Sequence, residues 1–94
     1  MTAAASDFER AVAHVLSGLR AGDVVTYGEV AEEAGYRGRA RSVGHVLATS
    51  HGRYAWWRVV AANGRLVPGN EAEHEHLLAE EGVQCRNGRV MLRR

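Results

Sequence analysis

Apolar side chains recur at helical spacing near the start of the chain. Ser6 and Glu9 are placed as a capping box, which satisfies free N–H groups at the beginning of a helix. The apolar residues of this segment, spaced for one helix face, are Phe8, Val12, Val15, Leu16 and Leu19. The pattern predicts a first helix that runs to about Arg20 and is closed by Gly22.

Two further helices are predicted in the next thirty residues. Thr26 and Glu29 form a second capping box, and the helix that they open ends at Gly35. After a tight turn at residues 36–38, a third helix runs from about Arg39 to Thr49. The side chains expected to point inward are Val30, Ala31 and Ala34 in the second helix, and Ala40, Val43, Val46 and Leu47 in the third. Two short helices joined by a glycine-marked turn predict a helix-turn-helix.

The second half of the chain alternates turn signals with short apolar runs. Asn63-Gly64 predicts a hairpin that pairs residues 57–61 with residues 65–67 and serves as a wing. Asn70 is expected to cap a last helix, Glu71 to Glu81, with Leu77 and Leu78 buried. A second turn, Asn87-Gly88, folds residues 83–85 onto residues 89–92. The predicted fold is mainly α with small β hairpins, a winged helix-turn-helix in a single domain over residues 1–94.

Composition narrows the setting of this domain. One cysteine, Cys85, excludes an internal disulfide, and the alanine-rich start has neither the charge nor the apolar run of a signal peptide. No stretch approaches the length of a membrane span, so we expect a soluble, cytoplasmic protein without membrane association. The formal charge is only +1, although all 12 basic residues are arginine. This bias suits phosphate and base recognition, and genome composition explains it equally well.

Arginines are dense where the third helix begins. Arg37, Arg39 and Arg41 suit phosphate contacts and entry into a DNA groove, and the alternative is a solvated polar face. Small residues at Ser42 and Gly44 favour the first interpretation, because they let a backbone approach a bulky partner closely.

Trp56 and Trp57 stand side by side before the apolar run of the predicted hairpin. A strand directs consecutive side chains to opposite faces, so one indole is expected to pack while the other lines a surface. No cysteine, serine or aspartate with an adjacent histidine lies in this segment to act as an activated nucleophile.

Five motifs in order resemble the DNA-binding domain of the O6-alkylguanine-DNA alkyltransferases over residues 7–92. They are Val25-Thr26-Tyr27-Gly28-Glu29-Val30-Ala31, Ala40-Arg41-Ser42-Val43-Gly44, Trp56-Trp57-Arg58-Val59-Val60, Asn63-Gly64 and Leu77-Leu78-Ala79-Glu80-Glu81-Gly82-Val83. The alkyltransferases carry Pro-Cys-His-Arg where this chain has Ala55-Trp56-Trp57-Arg58. An indole supplies neither a thiolate nor a base, so the resemblance is to alkyltransferase-like proteins, which bind alkylated guanine without repairing it.

The resemblance implies roles for individual residues. Arg41 matches the arginine that enters the base stack, and Tyr27 matches the tyrosine that rotates the neighbouring phosphate and borders the flipped base. Arg39 and Ser42 join them as DNA-binding residues. The residues implied for the lesion pocket are Tyr27, Leu47, Trp56 and Val59. Glu81 matches the acid that holds the catalytic histidine, and here it is expected to be structural and to accept an indole N–H.

Partners follow from the same resemblance. It implies double-stranded DNA that contains alkylated guanine, marking of the lesion for nucleotide excision repair proteins, a monomer, and no cofactor. No arginine follows the predicted hairpin at residues 66–70, where some relatives carry one that senses the guanine O6 group.

Other functions were weighed against this one. A sequence-specific regulator with the same winged fold is one alternative, and an enzyme that uses Cys85 or an unrecognised group is another. His74 and His76 lie two apart on a helix and point to different sides, which is poor geometry for a metal ligand pair. Cys85 is expected to be packed in a strand.

Overall fold

The structure, a computed structural model, describes residues 6–91 and is mainly helical in that range. Its helices are α1 (Asp7–Ser17), α2 (Tyr27–Glu33), α3 (Ala40–Ala48), the 3-10 helix Trp56–Arg58 and α4 (Glu71–Glu80). Its strands are β1 (Val25–Thr26), β2 (Val59–Val60), β3 (Cys85–Arg86) and β4 (Arg89–Val90). The predicted class, mainly α with small strand pairs, is confirmed.

The helix starts follow the capping signals in the sequence. The Ser6 hydroxyl accepts the Glu9 N–H at 3.1 Å at the start of α1. At α2 the capping box is complete, because the Thr26 hydroxyl accepts the Glu29 N–H at 3.1 Å and the Glu29 carboxylate accepts the Thr26 N–H at 2.7 Å. Asn70 is the exception, since it precedes α4 without a side-chain capping bond.

The helix ends depend on glycine. After α2, Gly35 is left-handed (φ 90°), and the Tyr36 N–H returns to the Ala31 carbonyl at 2.8 Å, a Schellman ending. The prediction that α1 reaches Arg20 and closes at Gly22 was wrong. The helix ends at Ser17 with Gly18 as its cap, because glycine is the weakest helix former near that point apart from proline.

Two apolar clusters hold the elements together. The first contains buried side chains of α1, α2, α3 and β2: Val12, Leu16, Val30, Ala31, Val43, Leu47 and Val59. The second contains Val60, Leu66, Leu78 and Val90. α2 and α3 pack on each other as the predicted helix-turn-helix. Since neighbouring residues Val59 and Val60 belong to different clusters, β2 marks the boundary between them.

The hairpin predicted as a wing does not form. Val59–Val60 pairs in parallel with Val25–Thr26, and both valines are fully buried. Beyond the turn, Arg65 bridges to Arg89 instead, and the Leu66 N–H donates to the Gly88 carbonyl at 3.0 Å. A single backbone bond, from the Ala61 N–H to the Arg65 carbonyl at 3.2 Å, remains across the turn. Burial of β2 on both faces therefore outweighs the local Asn-Gly signal.

The tryptophan pair also departs from the predicted strand. Trp56–Arg58 forms one turn of 3-10 helix, and extended backbone begins only at Val59. Consecutive side chains on such a turn diverge by about 120°. The two indoles therefore still point in different directions, as expected, although a different backbone achieves it.

The C-terminal hairpin is confirmed. β3 and β4 are antiparallel, with Cys85 opposite Val90 and Arg86 opposite Arg89, and Asn87 and Gly88 at the turn are both left-handed. Leu92, which was predicted to join this hairpin, lies outside the described residues. None of the helices within residues 6–91 has the length and apolar character that crossing a membrane requires.

Candidate lesion-binding pocket

An open cavity of about 370 Å³ lies between the helix-turn-helix and the segment that precedes α4. Its lining comes from α2 and α3, the α3 to 3-10 loop, the 3-10 helix and residues 67–73. The residues are Tyr27, Gly44, Leu47, Ala48, His51, Gly52, Trp56, Val67, Asn70 and Glu73. The walls are mainly aromatic and aliphatic, with a few polar groups, which is the composition of a small-molecule or base pocket.

The two tryptophans divide between the clusters. Trp56 packs against the first cluster and lines the cavity. Trp57 packs against the second cluster, and the two rings meet edge to face with centroids 6.2 Å apart and planes at 85°. One indole therefore offers a surface while the other is part of the packing, as the sequence predicts.

Tyr27 forms the opposite aromatic wall. It begins α2, and its ring lies beside Gly44 of α3, where an added Cβ would stand 3.9 Å from the tyrosine Cε1. Burial raises the pKa of the Tyr27 hydroxyl, which keeps it protonated and able to donate. A small residue at position 44 thus keeps space open beside the ring.

One stripe of α3 connects the cavity to its arginine-bearing end. Gly44, Leu47 and Ala48 line the cavity, and Arg41 lies one turn before Gly44 on the same face. Arg41 is exposed, as is Arg39 at the N-cap of α3. Within residues 6–91 neither arginine takes part in an ion pair, whereas Arg37 lies 3.8 Å from Glu32. Two guanidinium groups at the cavity's edge are thus available to an anionic partner.

Two predicted site residues lie elsewhere. Val59 was expected to line the pocket, and this was wrong: it is fully buried in the first cluster, because β2 runs behind Trp56 into the core. Ser42 is half-buried on α3 and is not part of the cavity lining. Leu47 both lines the cavity and belongs to the core.

The sequence analysis missed the polar lining. His51 and Gly52 are both left-handed (φ 54° and 79°), which bends the loop after α3 back over the cavity. The His-Gly pair was a detectable turn signal. Asn70 and Glu73 reach the cavity from the start of α4, and no local pattern marks them.

Behind Trp57 lies a partly buried ion pair. The Glu81 carboxylate accepts the Trp57 Nε1–H at 2.8 Å, the Arg58 Nη2–H at 2.8 Å and the Gly22 N–H at 2.9 Å. These bonds, led by the one from Arg58, lower the pKa of Glu81 to about 2. The expectation that Glu81 accepts an indole N–H is confirmed.

Cys85 lies apart from the cavity. It is in β3, half-buried against the second cluster, and burial followed by the nearby Glu75 raises the pKa of its thiol. A raised pKa favours the unreactive thiol form. His74 is fully buried while His76 is exposed, so the two do point to different sides.

Comparison with known proteins agrees with the fold. The family described as 6-O-methylguanine DNA methyltransferase, DNA binding domain, matches residues 7–83. A DNA base-flipping protein of Vibrio parahaemolyticus serotype O3:K6 (strain AQ3810) is 33% identical over 85 residues, which covers 85% of each chain.

Solved structures show the same likeness. S. pombe Atl1 in complex with damaged DNA containing O6-carboxymethylguanine has a TM-score of 0.76 at 28% identity, covering 87% of this chain and 82% of Atl1. Mycobacterium tuberculosis OGT in complex with DNA has a TM-score of 0.67 at 29% identity, covering 83% of this chain and 51% of OGT.

Proposed function

Because this chain belongs to the family of the 6-O-methylguanine DNA methyltransferase DNA-binding domain, we propose that it binds O6-alkylguanine in duplex DNA without removing the alkyl group. The observation that carries the proposal is the position of Trp56. It stands where the resembling enzymes place their acceptor cysteine, and it lines a cavity opposite Tyr27. The site therefore has a place for a base and no nucleophile at that place.

The walls of the cavity suit a flat, partly apolar ligand. Enzymes and binding proteins that flip a base hold it between aromatic and apolar side chains. Tyr27 and Trp56 supply aromatic faces, and Leu47 and Val67 supply aliphatic contact to an alkyl group. Asn70 and Glu73 are polar groups positioned to meet the edge of the base.

The α3 stripe suits the extrusion step. We assign Arg41 as the side chain that enters the base stack in place of the flipped nucleotide, which offsets part of an unstacking cost of a few kcal/mol. Arg39 and Ser42 are assigned to the phosphate backbone near the helix start, and Tyr27 to the neighbouring phosphate. The exposure of both arginines supports these roles.

The groups near Trp56 argue against alkyl transfer. Transfer needs a thiolate and a base that takes its proton, and an indole N–H has no lone pair to offer. The Trp57 N–H is already bonded to Glu81, and Cys85 lies in the C-terminal hairpin. A radiolabelled alkyl lesion should therefore keep its label on the DNA.

The fate of the bound lesion belongs to the same proposal. We infer that the protein acts as a single-domain monomer in the cytoplasm, at the nucleoid when bound to DNA, and marks the lesion for nucleotide excision repair. The likeness to alkyltransferase-like proteins supports this inference.

A binding titration tests the proposal. Fluorescence anisotropy with duplexes that differ only in one O6-methylguanine should show tighter binding to the lesion by at least about tenfold, or about 1.4 kcal/mol. Equal affinity for both duplexes would refute lesion recognition. Preference for one undamaged sequence would instead identify a regulator.

The Arg41→Ala variant tests the intercalation role. It should lose most of the lesion preference, by roughly tenfold or more, since the unstacking cost of a few kcal/mol is no longer offset. Arg86→Ala is the matched control, because Arg86 is also exposed and lies in β3, outside the cavity. An unchanged affinity in Arg41→Ala would remove Arg41 from the mechanism.

A further inference from the structure

His74 lies behind the cavity with both ring nitrogens engaged. It is fully buried on α4. Its Nδ1 accepts the Val67 N–H at 3.1 Å, and its Nε2–H donates to the Trp57 carbonyl at 2.9 Å. A backbone donor on one side and a backbone acceptor on the other fix the neutral Nε2–H tautomer. Burial lowers the pKa of this imidazole, which agrees with that assignment.

These bonds connect two separate walls of the cavity. Val67 lines the cavity from the segment before α4, and Trp56 lines it from the 3-10 helix to which the Trp57 carbonyl belongs. The His74 ring also contacts the Trp56 indole, with centroids 4.9 Å apart and planes at 61°. One side chain therefore sets the spacing of both walls.

Other roles for His74 fit the geometry poorly. Both nitrogens are occupied, so neither has a lone pair free for a metal, and among residues 6–91 no group of three potential ligands surrounds any point. The side chain is also not part of the cavity lining, so it does not touch a bound base.

Nothing else orders Val67 in the same way. The segment between β2 and α4 has neither helix nor strand around Val67. Its carbonyl accepts the Asn70 N–H at 3.0 Å, a bond local to the turn, whereas its N–H is bonded to His74. Without the imidazole, that N–H would be a partly buried donor with no partner, which costs about 1–3 kcal/mol and favours movement of the segment.

We propose that His74 is a positioning residue that sets the distance between the Trp56 and Val67 walls and thereby determines selectivity for the alkylated base. This inference rests on the proposed function. It predicts that His74 governs the preference for the lesion and has little effect on affinity for undamaged DNA, since the arginines of α3 lie elsewhere.

Two substitutions separate the bonds of His74 from its bulk. His74→Phe keeps a flat ring beside Trp56 and loses both hydrogen bonds, whereas His74→Gln keeps a donor and an acceptor in one planar group. We expect His74→Phe to lower the lesion preference about tenfold, with affinity for undamaged duplex within about twofold, and His74→Gln to restore most of the preference. Full preference in folded His74→Phe would overturn the proposal, as would equal weakening of both duplexes.

Hydrogen exchange gives an answer that does not depend on lesion binding. In the unmodified protein the Val67 amide should be protected, and the imidazole nitrogen shifts should show the Nε2–H tautomer. Rapid exchange at Val67 would overturn the proposal even if His74→Phe failed to fold. If the protein showed no lesion preference but Val67 were protected in the wild type and released in His74→Phe, the proposed function would fail while the positioning of the wall stood.

Discussion

At the scale of single residues, Glu81 joins parts of the chain that are distant in sequence. Its carboxylate bonds the Gly22 N–H after α1, and both Trp57 and Arg58 of the 3-10 helix. The Arg58 guanidinium also donates to the Leu19 carbonyl at 3.2 Å and lies 5.6 Å from the Trp57 ring centroid. Since the side chains of Arg58 and Glu81 are only 16% and 11% exposed, solvent screens this pair weakly.

Glu81 should make the fold sensitive to acid. Its pKa lies near 2 in the folded protein against an ordinary 4.5, so the unfolded chain binds the proton first as the pH falls. The stabilisation is present above pH 4.5 and is lost towards pH 2, and it amounts to roughly 3 kcal/mol. Urea unfolding between pH 2 and 6 should show this loss in the wild type and lack it in Glu81→Gln.

The control for that measurement is Glu80→Gln, because Glu80 is the exposed neighbour of Glu81. Its stability curve should run parallel to that of the wild type. If Glu81→Gln also ran parallel to the wild type, the carboxylate would not be the source of the acid sensitivity.

The sequence predicted some of the cavity residues and could not predict others. Tyr27, Leu47 and Trp56 line the cavity, and the motifs that identified them fix their neighbours along the chain. Val59 failed because its direction depends on pairing with β1, a contact between segments 34 residues apart. His74 failed for a related reason, since a buried histidine in an acidic helix looks like a surface residue until Val67 and the Trp57 carbonyl are placed around it.

At the scale of elements, the start of α2 connects the helix-turn-helix to the core. Thr26 is both the last residue of β1, opposite Val60 of β2, and the N-cap of α2. Tyr27 follows immediately, so the capping geometry also sets the direction in which this cavity wall leaves the strand.

Removal of the Thr26 hydroxyl should therefore cost stability. Thr26→Ala leaves the Glu29 N–H without its acceptor, and we expect a loss of about 1 kcal/mol in the free energy of unfolding. Thr26→Ser should retain most of the stability. Thr49→Ala is the matched control, because the Thr49 hydroxyl donates to the His45 carbonyl at 2.9 Å at the exposed end of α3 and caps no N–H. An equal loss in both alanine variants would contradict the capping role.

Element boundaries were predictable where a local signal agreed with tertiary packing. The complete capping box and Gly35 located α2, and the Asn87-Gly88 turn located the last hairpin. The Asn63-Gly64 signal predicted a wing that is absent, because residues 64–66 pair with residues 88–90 instead. Competition between two possible partners for one segment is invisible to a pattern read along the chain.

At the scale of the whole molecule, charge is segregated although the net formal charge is only +1. Arginines are concentrated around the start of α3, and α4 is acidic, with Glu71, Glu73, Glu75 and Glu80. A nearly neutral protein has little overall attraction for DNA, so under the proposed function a few local arginines must supply it.

Salt dependence should report the number of those arginines. Each neutralised phosphate contributes about −0.9 to the slope of log affinity against log salt concentration, so two or three contacts predict a slope of about −2 to −3. Arg39→Ala should reduce its magnitude by about 0.9, while Arg86→Ala should leave it unchanged. A slope near zero would show that the α3 arginines do not contact phosphates.

The bond between Trp57 and Glu81 has a consequence for the history of the site. An indole donates one hydrogen and accepts none, so Trp57 satisfies the carboxylate permanently and cannot take a proton from a neighbour. Trp56→Cys alone would place a thiol at the cavity with nothing beside it to make a thiolate. Return to repair chemistry therefore requires at least two changes, of which neither is useful without the other, and this pairing works as a ratchet that favours recognition over catalysis.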